Sequence, residues 1–217
     1  MTAIALSNLV FAYPKSSFVL SCSNLTLSRG ELTLITGPNG SGKTTLSKLM
    51  CGVLKPTRGM VQIYGVDTAK LSLGEIGSRV GYLFQNPARQ LFATTVWQEM
   101  IWVPELLGQN SELTCKRADE LLEWFNLSAL KQHSIYQLSR GEKQRLALCT
   151  MLMGGAEFFV LDEPTAGLDR ENMNKLNVLL DDLLLQGKGL AIVSHEPELF
   201  SRHNARQVRL RKGVVLV

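Results

Sequence analysis

The feature that most constrains this chain is the octapeptide Gly37-Pro38-Asn39-Gly40-Ser41-Gly42-Lys43-Thr44. It follows the apolar run Leu32-Thr33-Leu34-Ile35 and opens a helical segment, Lys43 to Cys51. Strand, glycine-rich loop and helix in that order form a cradle for a polyphosphate. The glycines let the backbone turn its N–H groups inward, and the helix N-terminus adds positive potential. Lys43 is placed to reach the β- and γ-phosphates as a point charge, and the Thr44 hydroxyl to ligate Mg²⁺. An ordinary glycine-rich turn is the dull alternative, and the strand–loop–helix setting speaks against it.

Two further apolar runs, Phe158–Leu161 and Leu190–Val193, read as strands buried on both faces, as in a parallel sheet covered by helices. Between them Leu176, Leu179, Leu180 and Leu183 fall on one helix face, and Gly187 and Gly189 follow as a stop. That βαβ order makes the class α/β. Segments 3–12 and 18–28 read as strands, and 206–211 with 214–217 as a hairpin around Lys212-Gly213, so antiparallel strands are expected beside the parallel core. From about 86 to 145 the pattern is helical, with Ala118, Leu121, Leu122 and Phe125 on one face. The expected domain plan is one domain over 1–217: a core with a β subdomain at about 1–85 and 146–217, and a helical subdomain at about 86–145.

Composition supports a folded domain. The 217 residues are 45% hydrophobic and 19% charged, which excludes a collagen or a disordered tail. A net charge of +4 does not mark a nucleic-acid binder, and none is expected as partner. Cys22, Cys51, Cys115 and Cys149 are scattered without a CxxC pair, and the largely apolar neighbours of Cys51 and Cys149 point to buried free thiols in a reducing compartment. No positive region precedes a signal-like core, and no apolar run reaches the ~18 residues of a membrane span. The basic stretch Arg202 to Lys212 reads as a solvated hairpin face.

Asp162 and Glu163 end the Phe158–Leu161 strand. An acid there is costly unless it works on a cation. Asp162 is the candidate for the Mg²⁺ shell and Glu163 for the base facing an attacking water. Capping the next turn is the alternative; beside a phosphate loop the catalytic reading prevails.

Leu138-Ser139-Arg140-Gly141-Glu142-Lys143-Gln144-Arg145 resembles the LSGGQ signature of the ATP-binding cassette ATPases, and the resemblance covers nearly the whole chain. It implies a P-loop NTPase core, ATP hydrolysis and the ligands ATP and Mg²⁺. Tyr13 matches the aromatic that stacks on adenine, with Asn39, Gly40, Ser41, Gly42, Lys43, Thr44 and Thr45 around the phosphates. Gln85, after the Tyr82–Phe84 strand, matches the glutamine that senses Mg²⁺ and the γ-phosphate, and His195, after the Leu190–Ser194 strand, matches the switch histidine. Thr44, Gln85 and Asp162 are thus the implied metal set. Ala166-Gly167-Leu168-Asp169 resembles the loop that crosses to an opposite subunit. The family implies a second ATPase subunit, as homodimer or with a sister chain, stacked head to tail. Ser139, Gly141 and Glu142 of one subunit would then face ATP held by the other.

Phe84-Gln85-Asn86-Pro87 and the following Gln90–Val96 are similar to the energy-coupling-factor and cobalt-type importers. The likeness implies uptake of a vitamin or transition-metal ion through an integral membrane subunit, from a peripheral position on the cytoplasmic face of the cell membrane. Val96, Met100, Val103 and Leu107 are expected on one buried helix face. Phe92 and Trp97 are left for the membrane partner. No C-terminal regulatory extension is expected after the last hairpin.

One departure sets a question for the structure. Arg140 stands where the signature has glycine. Arginine is costly there if the position needs φ > 0. If only an N–H is needed, it is accepted and adds charge near the partner's γ-phosphate. The alternatives from other classes are a soluble cassette ATPase acting on nucleic acid or ribosomes, and a weakly hydrolysing member of an asymmetric ATPase pair.

Overall fold

The computed structural model describes residues 1–109 and 112–216; the expected strand end at Val217 lies outside them. Ten strands form one sheet in the order β5-β4-β1-β2-β10-β9-β3-β8-β7-β6. They are β1 (Thr2–Ala12), β2 (Val19–Ser28), β3 (Leu32–Thr36), β4 (Arg58–Ile63), β5 (Val66–Asp67), β6 (Val80–Leu83), β7 (Phe158–Asp162), β8 (Gly189–Val193), β9 (Arg206–Arg211) and β10 (Val214–Leu216). The helices are α1 (Lys43–Met50), α2 (Leu73–Gly77), α3 (Val96–Leu106), α4 (Glu112–Trp124), α5 (Arg140–Met153) and α6 (Arg170–Leu185).

The chain divides into two compact units, Met1–Tyr82 with Ala156–Glu163 and Leu180–Val217, and Leu83–Gly155 with Pro164–Leu179. In the first, β3, β7 and β8 pair in parallel and are buried along their length, as continuous apolar runs require. Antiparallel β1–β2 and β1–β4 pairs lie to one side. The terminal hairpin departs from the flanking role expected of it. Its first strand, β9, joins the parallel core beside β3, while β10 pairs in parallel with β2. Val208 and Leu210 point into the core and Arg209 and Arg211 out, so alternation fits this part of β9 to a sheet with one wet face. The basic stretch is exposed, as expected, with Arg202 paired to Asp181. Cys22 and Cys51 are buried free thiols, and burial pushes the Cys22 thiol up to about 11.

The second unit is helical, with α3 and α4 packed on α5. Ala118, Leu122 and Phe125 are fully buried, as their spacing predicts. The expected α3 face is only half observed. Val96 and Met100 are fully buried, but Leu107 lies beyond the last helical turn and is 45% exposed. Glu99 and Pro104 take buried places instead.

Candidate functional site

In the first unit, β3 delivers the loop Gly37–Gly42 to the start of α1. Gly42 adopts φ 106°, a left-handed conformation that would strain any side chain, and it makes no side-chain cap for the helix. The first turn of α1 also holds no acid. Lys43 is buried and folds back over the loop, its Nζ donating to the carbonyls of Gly37 at 2.7 Å and Pro38 at 3.3 Å. Ser41 is buried, while Asn39 and Gly40 are exposed. The hairpin turn braces this loop from behind, with Gly213 N–H donating to the Ser41 carbonyl at 3.1 Å.

Asp162, at the end of β7, is fully buried, and neither carboxylate oxygen completes a hydrogen bond with the described residues. Burial pushes its pKa up to about 6; the Thr44 hydroxyl, Lys43 and Lys48 act the other way, and the Glu163 charge reinforces the rise. Burial makes the charged form of this carboxyl costly unless a cation stands beside it. Among the described residues no cluster of three His, Cys, Asp or Glu exists to cage a metal. One carboxylate with a hydroxyl beside it suits Mg²⁺, which completes its shell with phosphate oxygens and water.

Glu163 leaves β7 with φ 53°, uncommon for a non-glycine residue. Two long-range contacts hold the turn. Its N–H donates to the Val193 carbonyl at 2.9 Å, and its Oε2 lies 2.8 Å from Nδ1 of His195. Ser194, buried before the histidine, accepts from Glu196 N–H at 3.0 Å and so turns the chain where His195 emerges. Tyr13 sits just past β1, its hydroxyl 3.2 Å from Thr45 Oγ1 and its ring edge-on to Phe11 at 4.8 Å. The first unit therefore brings Tyr13, the loop with Lys43, Thr44 and Thr45, Asp162, Glu163 and His195 onto one body.

Gln85 and the signature belong to the second unit. Ser139 caps α5: its Oγ accepts from Glu142 N–H at 3.3 Å, while the Glu142 carboxylate accepts from Ser139 N–H at 2.7 Å. Arg140 is the first residue of that helix, so its φ is helical and arginine carries no backbone strain. Gly141 has a different constraint. A Cβ there would lie 2.6 Å from the carbonyl oxygen of Gly167, so the Ala166–Asp169 loop packs on α5 where a side chain would stand. Gln144 strengthens that attachment, its Nε2 donating to the Pro164 carbonyl at 3.1 Å.

Gln85 is exposed after β6. Beyond it Phe92 is 56% exposed and Trp102 48%, their rings edge-on at 5.3 Å. Trp97 differs from the expectation that left it open with Phe92. The Lys131 ammonium lies 3.7 Å above its ring, and Trp97 N–H donates to the Lys131 carbonyl at 2.9 Å.

The sequence pattern of the ABC transporter family matches residues 20–166. The chain belongs to that family. An energy-coupling factor transporter ATP-binding protein of Methanothermobacter thermautotrophicus is 37% identical over 215 residues, covering 98% of this chain and 69% of that protein. Among solved structures, the dimeric post-hydrolysis state of the ATP-binding cassette MJ0796 bound to ADP and Pi superposes with a TM-score of 0.86 at 28% identity, over 99% of this chain and 97% of that one. The cassette cbiO1 of Clostridium perfringens, part of the ABC transporter complex cbiONQ, matches with a TM-score of 0.80 at 27% identity, over 100% and 87%. This cassette is the ATP-binding subunit of an ABC transporter and an ATPase with the P-loop NTPase fold. No helix among its described residues is long and apolar enough to cross a membrane.

The sequence reading missed three contributors to these sites: Ser194, Gln90 and Glu99. Gln90 opens the Gln90–Val96 segment but was given no role there, and Ser194 and Glu99 stand in no motif. Glu99 left one signal, an acid in the first turn of a largely apolar helix.

Proposed function

We propose that this cassette powers solute uptake of the energy-coupling-factor type, for a vitamin or transition-metal ion, by ATP-driven closure of a head-to-tail ATPase pair. The pairing of Glu163 with His195 next to the buried Asp162 carries the catalytic part of this reading. In it the loop N–H groups and Lys43 hold the β- and γ-phosphates, and Tyr13 carries the adenine. Asp162 and Thr44 would hold Mg²⁺, which would supply positive charge against the phosphates, and Gln85 keeps the metal- and γ-phosphate-sensing role that the family resemblance implies. Glu163 accepts the proton of the water that attacks the γ-phosphorus as the bond to ADP breaks. His195 keeps that carboxylate aimed.

Ser139, Gly141 and Glu142 serve the composite site from the opposite subunit, either a second copy or a sister ATPase. The capping box and the Gly167 contact support this role by presenting the signature as a rigid edge. The exposed pair Phe92 and Trp102 supports docking of an integral membrane subunit nearby, at the cytoplasmic face of the membrane. Trp97, covered by Lys131, is left out of that docking surface.

Glu163→Gln tests the chemistry. Turnover should fall by about 10²–10⁴-fold while ATP binding survives, because the base is lost and the size is kept. Near-normal hydrolysis in a phosphate-release assay would remove Glu163 from this role.

A further inference from the structure

The stretch from Phe84 to Thr95 joins Gln85 to Phe92 with only one 3₁₀ turn, Pro87–Arg89, inside it. Side chains do the rest of the holding. Gln90 turns back so that its Oε1 accepts from Phe84 N–H at 3.0 Å, immediately before Gln85. The backbone closes the same ring: Gln90 and Leu91 N–H donate to the Pro87 carbonyl at 2.9 and 3.2 Å. Asn86 starts the turn, its Oδ1 accepting from Ala88 N–H at 3.1 Å. At the far end the buried Glu99 of α3 accepts from Phe92 N–H at 2.9 Å and Ala93 N–H at 2.7 Å. A carboxylate that accepts two backbone N–H groups in a dry site is a firm anchor.

We propose that Gln90 is a positioning residue for Gln85. By holding Phe84 N–H it fixes the backbone from which the Gln85 side chain starts, and Glu99 supplies the fixed base on which that brace stands. The inference rests on the reading of Gln85 as the glutamine that faces the cation and the γ-phosphate. Without the Gln90 oxygen, the half-buried Phe84 N–H loses this acceptor, and the backbone before Gln85 gains freedom to turn away.

Steady-state ATPase measurements on the purified cassette, with ATP and Mg²⁺ varied separately, test this. Gln90→Leu keeps the bulk and removes the acceptor. Its kcat should fall roughly three- to tenfold, the worth of one hydrogen bond, with KM for ATP moved by less than about twofold. The Mg²⁺ concentration for half-activation should rise. Gln90→Glu keeps an oxygen in place and should restore most of kcat. The double variant Gln85→Ala with Gln90→Leu should be no slower than Gln85→Ala alone, because Gln90 acts through Gln85.

Wild-type kcat in Gln90→Leu beside a slow Gln85→Ala overturns the brace and leaves the reading of Gln85 standing. So does a double variant in which the two losses multiply, the mark of a merely structural role. A Gln85→Ala as fast as wild type overturns the reading of Gln85 and the brace with it. Should Gln90→Leu fail to fold, Gln90→Asn, which withdraws the oxygen by one methylene, carries the same comparison.

Discussion

Two helices of this cassette start beside a motif glycine, α1 just after Gly42 in one unit and α5 with Gly141 in its first turn in the other, and their first turns are built in opposite ways. At α1 the N-cap is Gly42 in a left-handed conformation, with no side-chain cap and no acid in the first turn. At α5 Ser139 and Glu142 close a capping box, and the acid lies in the first turn. The first four N–H groups of a helix need partners from outside it. α5 meets part of that need itself, through the bonds between Ser139 and Glu142, and its start is held in one geometry. α1 leaves its N–H groups and positive dipole end to an anion, with the Lys43 ammonium held over the same loop. The difference separates a helix start whose N–H groups are left open to an anion from one closed by its own side chains.

The largest expected effect tests the α1 side. Lys43→Ala removes a charged donor worth roughly 1.5–3 kcal/mol. ATP affinity should fall about ten- to a hundredfold in a fluorescent-nucleotide titration. Unchanged affinity would erase the distinction between the two helix starts.

Gly141→Ala comes next and concerns α5. The added Cβ meets the Gly167 carbonyl at 2.6 Å, and overpacking of this kind costs about 1–3 kcal/mol. The melting temperature should drop by roughly 2–4 °C per kcal/mol, together with a loss of ATPase activity as the loop before Asp169 is displaced. A variant with unaltered melting and activity would show that this contact does not hold the loop.

Smaller again is the capping box. Ser139→Ala should cost about 1 kcal/mol of stability. The same box has a pH dependence. The Ser139 hydroxyl, and then its backbone N–H, hold the Glu142 carboxyl below its ordinary 4.5. A depressed carboxylate contributes stability above its unfolded pKa and loses it as pH falls through the folded value. Melting curves should therefore show wild type losing its advantage over Glu142→Gln below about pH 4.5. Parallel curves down to pH 3 would mean that the box adds nothing in solution.

The smallest effect belongs to Arg140→Gly. The helical φ at this position leaves no strain to relieve, and an exposed site of this kind shifts energies by about 0.5 kcal/mol. ATPase activity should stay within roughly threefold of wild type. A large gain would mark the signature as degenerate and the cassette as one half of an asymmetric pair.

Much of the site was legible because its parts are local. The loop at Gly37–Thr44, the strand ending on Asp162 and the signature before α5 each reduce to a run of neighbouring residues whose φ/ψ and dipoles set their chemistry. The question at Arg140 was also local, yet it needed the position of the helix start to answer, since glycine in the related signature left both backbone conformations open. Trp97 escaped for a different reason. Helical spacing left it outside the apolar face, but a cation from the loop at Lys131 covers it, and no periodicity reports such a neighbour.

The amino-acid sequence by itself determined the α/β class, the phosphate loop, the buried strands and the order of the site elements, because periodicity and turn chemistry act between residues a few places apart. Only the tertiary structure decided that β9 enters the parallel core and that Glu163 stands strained against Val193 and His195. It also decided that Gly141 is glycine to admit the Gly167 carbonyl. Each of these joins segments far apart in the chain. Sheet pairing and packing against a common core bring such segments together, and that energy is shared among many residues rather than written in any one motif.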